Sequence, residues 1–96
     1  GRRNKNMNTI KQGTNQFFIG KSEEQPLAKI TFIPKEDTLV VNHTFVSEQL
    51  RGQGIAKKLV EEVLRYAKQE NKKIVPECSY VDVFKRRYPE HRNLFV

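Results

Sequence analysis

Ninety-six residues suffice for one domain with a modest core and are too few for two independent sites. Apolar residues make up 36% and charged residues 30%, and no run of about 18 apolar residues offers a transmembrane helix. The single cysteine, Cys78, has no internal disulfide partner, and no N-terminal segment resembles a signal peptide, so the expected setting is reducing and cytoplasmic.

The net charge is +7, part of it in Gly1-Arg2-Arg3-Asn4-Lys5-Asn6, which reads as an expression remnant ahead of Met7. The remaining 7–96 are expected to form one domain. Removing Arg2, Arg3 and Lys5 from the 18 basic residues, against 11 acidic ones, leaves a milder basic balance. That balance suits an anionic ligand and does not by itself require nucleic acid.

In chain order, Ile10 begins a short edge strand, and Gln16-Phe17-Phe18-Ile19 is β-prone and stopped by Gly20. Leu27-Ala28-Lys29-Ile30-Thr31-Phe32-Ile33 alternates as a half-buried strand, and Pro34-Lys35-Glu36-Asp37 turns it. The next strand covers residues 38–46, and by parity it puts Leu39, Val41, His43 and Phe45 on one face. Short turns between these runs imply an antiparallel meander.

The stretch Ser47-Glu48-Gln49-Leu50-Arg51-Gly52-Gln53-Gly54-Ile55-Ala56-Lys57 joins that strand to a helix expected over residues 54–69. Ile55, Ala56, Leu59, Val60, Val63, Leu64 and Ala67 form its apolar stripe, a Glu61–Arg65 pair lies on the opposite side, and Asn71 stops it. A helix start has backbone N–H groups without intrahelical partners and partial positive charge, hence an anion site. Glycine there removes the Cβ that would hold a phosphate away. The P-loop and G-x-G-x-x-G spacings are both absent.

Residues 72–78 read as a strand entered from the helix, parallel to its predecessor. Pro76 cannot donate a ladder bond, so that strand is expected to part from its neighbour there. Residues 81–88 read as a second short helix ending before Pro89, and Leu94 and Phe95 as anchors of the tail.

Arg51-x-x-Gly54-x-Ala56, placed between a β-rich run and an amphipathic helix, resembles the pyrophosphate loop of the GNAT superfamily, the acetyl-CoA-dependent N-acetyltransferases. With Asn42-His43-Thr44 and Cys78-Ser79-Tyr80, the chain looks like a small single-domain GNAT-like subfamily with a Cys-Ser-Tyr segment. The resemblance implies an α/β (α+β) class and a minimal GNAT-like fold: an antiparallel β-meander, then β-α-β with a splayed parallel pair and a short C-terminal helix. It implies acetyl-CoA as co-substrate, an unidentified amine acceptor, and an acceptor side that is open, reduced or completed by a partner.

By that resemblance, Arg51, Gly52, Gln53, Gly54, Ile55, Ala56 and Lys57 hold the pyrophosphate, and Phe45 and Val46 hydrogen-bond the pantetheine. Amine acetylation needs a neutral amine, a stabilised oxyanion and a proton for the leaving thiolate. His43 stands equally as base or as a hydrogen-bonded core-face histidine. Cys78 lines the thioester or takes the acetyl group itself. Tyr88 or Tyr80 is a candidate proton donor, with packing or an ordinary hydrogen bond as the plainer role of each, and Glu77 a weaker base. No His/Cys/Asp cluster has zinc spacing, so no metal is expected. A non-catalytic acyl-CoA-binding module is the alternative, and nucleic-acid binding through Lys85-Arg86-Arg87 ranks last. No membrane association is expected, and the oligomeric state stays open.

Overall fold

The computed structural model describes residues 9–96. The stretch 1–6 read as a remnant, and Met7, lie outside the described residues. Strands β1 (Lys11–Gly13), β2 (Gln16–Gly20), β3 (Pro26–Pro34) and β4 (Thr38–Val46) pair antiparallel in sequence order. Helix α1 (Ile55–Glu70) crosses back to β5 (Lys73–Pro76), which pairs parallel with β4, and α2 (Ser79–Arg87) follows. The described residues form a five-stranded sheet in the order β1-β2-β3-β4-β5. The fold is thus mixed α/β: a meander, then a β-α-β unit, as the sequence implies.

The core lies between one face of the sheet and both helices. Phe17, Ile19, Ala28, Ile30, Phe32, Leu39, Val41 and Ile74 point in from the strands. Ile55, Leu59, Val60, Val63, Leu64 and Ala67 meet them from α1, and Val81 and Phe84 from α2. Each Val, Leu, Ile or Phe among them contributes about 1.5–3 kcal/mol on full burial, so the α1 stripe docks the helix firmly. Tyr66 adds rings at 5.7 Å to Phe17 and 5.6 Å to Phe32. The expected Glu61–Arg65 pair does not form; Arg65 bonds Glu62, one residue on. Both are surface pairs of a few tenths of a kcal/mol, so side-chain geometry decides between them.

The tail is anchored as expected, and one further expectation, the parity of β4, needs correction. The tail is a 3-10 turn over Pro89–Leu94 that leads Phe95 into the core, where it bridges Ile74. The parity of β4 breaks midway. Thr31 pairs with His43 but the next residue, Phe32, pairs with Val41, so Asn42 is a bulge without a partner of its own. His43 and Phe45 therefore leave the face of Leu39 and Val41 and are exposed. Thr44 and Val46, opposite the buried Ile30 and Ala28, take the inward positions instead.

Candidate functional site

The loop between β4 and α1 is held at one point by a buried side chain and is otherwise open. A short 3-10 turn, Glu48–Leu50, drives Leu50 into the core. Beyond it Gly52 and Gly54 have φ of 82° and 71°, a left-handed backbone that other residues adopt only with strain. A Cβ on either would meet nothing within 4 Å. The glycines are thus required first by backbone conformation, and they also leave the space above the loop clear. The approach argument from sequence anticipated only the second point.

Gly54 caps α1 without a side-chain hydrogen bond, and the first closed bond is Lys58 N–H to Gly54 O at 3.2 Å. The N–H groups of Ile55, Ala56 and Lys57 precede it and have no intrahelical acceptor. The first turn holds no acidic residue. It holds Lys57 and Lys58 instead, where the helix dipole disfavours cations by about 0.3–1 kcal/mol each. Arg51, Gly52, Gly54, Ala56 and Lys57 border a recess of about 170 Å³ that reaches Val46 and Tyr80. Enclosed small-molecule pockets run to about 300–1,000 Å³, so this recess accommodates one end of a ligand lying in an open groove. Gln53, also expected in the loop, bonds Gln49 O at 3.3 Å.

The groove continues along β4. Parallel pairing with β5 stops at Val41 and Pro76, while β4 runs on to Val46. The N–H groups of Glu77 and Cys78 both turn onto Val41 O at 3.0 Å, and α2 begins at Ser79. Residues 43–46 therefore have a paired edge toward β3 and an open edge toward α2. Val46 O accepts from Arg51 Nε at 3.3 Å on that open edge. Near its inner end, Thr44 Oγ1 lies 3.3 Å from Cys78 Sγ. The parting at Pro76 follows from the absence of a ladder donor, as the sequence suggested.

The other candidate side chains divide. Tyr80 borders the loop recess, and burial chiefly, with Tyr88 next, pushes its phenol above the ordinary tyrosine value. Tyr88 packs on Phe84 at 4.7 Å and carries Lys57 Nζ 4.8 Å above its ring. His43 and Phe45 face away from the groove's inner wall. Thr44 went unnoticed as a site residue because alternation assigned it to solvent; only the bulge turns it inward. Lys85 reaches Val96 O, and Arg86 bridges Asp82 at 3.3 Å. Cations there suit a helix C-terminus without any ligand.

A larger recess, about 290 Å³, lies across α1 between Leu64, Arg65, Lys68, His91 and Leu94. Of its polar groups, Arg65 bonds Glu62 and His91 stacks on Phe84. Among the described residues no three His, Cys, Asp or Glu side chains group to hold a metal, and no helix is long and apolar enough to cross a membrane.

A family model for GCN5-related N-acetyl-transferase matches residues 16–94. The chain is similar to a GCN5-like protein from Staphylococcus aureus solved by NMR, at 34% identity and a TM-score of 0.78, over 94% of this chain and 89% of that one. A crystal structure of a GNAT-family acetyltransferase from Staphylococcus aureus Mu50 shares the fold at 18% identity and a TM-score of 0.56. That match covers 75% of this chain and 49% of the other. No curated protein matches the sequence.

Proposed function

The chain belongs to the GCN5-related N-acetyltransferase family, and from that premise we propose that it binds acetyl-CoA in this groove and transfers the acetyl group to an amine. The observation that carries the reading is the start of α1. It is glycine-capped, bears two lysines and no acid in its first turn, and opens onto the unpaired edge of β4. Without an anion this arrangement is electrostatically unfavourable, and a pyrophosphate supplies the missing charge.

In this reading the N–H groups of residues 54–57, with Arg51 and Lys57, hold the pyrophosphate. Pantetheine lies along the open edge at Val46, where Arg51 exchanges its bond to the carbonyl for one to phosphate. The thioester then lies toward Thr44 and Cys78. The amine nitrogen attacks the thioester carbonyl carbon directly, the C–S bond breaks, the new amide sheds a proton, and CoA leaves as a thiol once protonated. Tyr80, which borders the recess two residues beyond Cys78, is the proton donor in this route, while Tyr88 packs on Phe84 beneath Lys57. Cys78 lines the acyl group. His43, on the outer face, takes no part in this route as a base, and no other residue is given that role.

The test is an amide NMR titration with acetyl-CoA, with CoA and ATP as controls. Saturable shifts at Gly52, Gln53, Gly54 and Ala56, extending to Val46 and Cys78, are expected. Absence of shifts at millimolar ligand would show the loop to be only a turn. Turnover of acetyl-CoA with pools of amines then separates an enzyme from a binding module.

A further inference from the structure

Regular alternation along β4 would place His43 inside and Thr44 outside. The bulge at Asn42 reverses this, because directly paired residues share a face and Thr44 pairs with the fully buried Ile30. The bulge is pinned by a side-chain hydrogen bond, Thr31 Oγ1 to Asn42 Oδ1 at 2.6 Å. Thr44 thus turns inward just beyond the last β4–β5 pair, where the two strands have parted.

We propose that Thr44, turned inward by this bulge, is a positioning residue that holds the Cys78 sulfur in place beside the acyl group. Its oxygen lies 3.3 Å from Cys78 Sγ, and Cys78 is fixed at its backbone by the N–H bond to Val41 O at 3.0 Å. A β-branched side chain has restricted χ1 freedom, so the strand backbone itself sets where the hydroxyl lies. The hydroxyl accepts from the thiol and donates to the thiolate, and it orients the sulfur in either state. Removing it frees the Cys78 side chain to rotate at the inner end of the groove. The effect on acetyl transfer rests on the function proposed above; the coupling of Thr44 to Cys78 does not.

The experiment uses Thr44→Val, which keeps shape and strand preference, Thr44→Ser, which restores the hydroxyl, and Thr44→Ala as a second hydroxyl-free variant. Cys78 is the only cysteine, so alkylation by iodoacetamide, followed by mass, reads its sulfur alone. Alkylation proceeds through the thiolate, which a donating hydroxyl stabilises. At neutral pH, Thr44→Val and Thr44→Ala are expected to react about two- to tenfold more slowly than the parent, and Thr44→Ser within about twofold of it. With acetyl-CoA and an accepted amine, Thr44→Val lowers kcat while the KM for acetyl-CoA holds, and Thr44→Ser recovers kcat. Alkylation of the Val and Ala chains at a rate equal to or above the parent's, with native amide spectra, overturns the proposal. If the parent chain shows no acetyl transfer, the acetyltransferase reading fails alone, and the alkylation contrast still decides the role of Thr44.

Discussion

The two ends of α1 are built on opposite terms. At its C-terminus Asn71 adopts φ of 60°, its N–H bonds Lys68 O at 3.1 Å, and Lys72 N–H bonds Ala67 O at 2.8 Å. Lys68 in the last turn matches the dipole, and Ala67 is buried. At the N-terminus no side chain caps the helix, the charges oppose the dipole, and the flanking glycines face open space. One end is satisfied by the chain itself; the other leaves its N–H groups and lysines to the external anion proposed above. The contrast separates a residue that stops a helix from residues that leave a helix start open, although both ends use the left-handed backbone.

The strongest way to break the contrast is Gly54→Val. A β-branched residue at φ of 71° costs about 1–3 kcal/mol and places its side chain in the open space of the loop. Acetyl-CoA shifts are expected to vanish while the chain stays folded by circular dichroism. Retained binding would remove the loop from the site. Asn71→Ala, at the satisfied end, is expected to lower stability by about 1 kcal/mol in urea unfolding and to leave acetyl-CoA affinity unchanged. A change in affinity there would mean that the two ends are coupled.

Lys58→Glu sharpens the comparison because it moves stability and binding in opposite directions. The ligand-free chain is expected to gain about 0.3–1 kcal/mol, since an acid then sits at the positive end of the dipole. Affinity for acetyl-CoA falls, most at low salt. Parallel changes in both would contradict an anion site at the start of α1.

The smallest effect concerns Tyr80. Its folded-state phenol is raised, chiefly by burial, so its share of stability is intact below the ordinary tyrosine value of 10.0 and is lost as pH rises through the higher folded value. Parent stability should therefore fall slightly more steeply than that of Tyr80→Phe above pH 10.0, with equal slopes below. The difference is small because Tyr80 is 36% exposed. Identical slopes throughout would mean that the recess does not desolvate the phenol.

Much of this was legible without coordinates. Alternation marked β3 and the first half of β4, the stripe from Ile55 to Ala67 marked α1, and Asn71 and Pro76 marked a helix end and a strand parting. These features arise from backbone conformations and periods that neighbouring residues impose on one another. Phe95 was legible as an anchor of the tail, but its partner Ile74 was not, because the two are remote in sequence. The bulge at Asn42 was invisible for the same reason: an unpaired residue exists only relative to the strand opposite.

The sequence by itself determined the meander, the long helix, the glycine-framed start of that helix and the point where β5 leaves β4. Local rules suffice for these, since each depends on φ preference, missing donors or a repeating apolar period. Only the tertiary structure decided which side chains enter the groove. One extra residue against β3 inverts every later position on β4, which sends His43 and Phe45 outward and brings Thr44 to Cys78. Strand register is a property of two chain segments, and no window along one of them contains it.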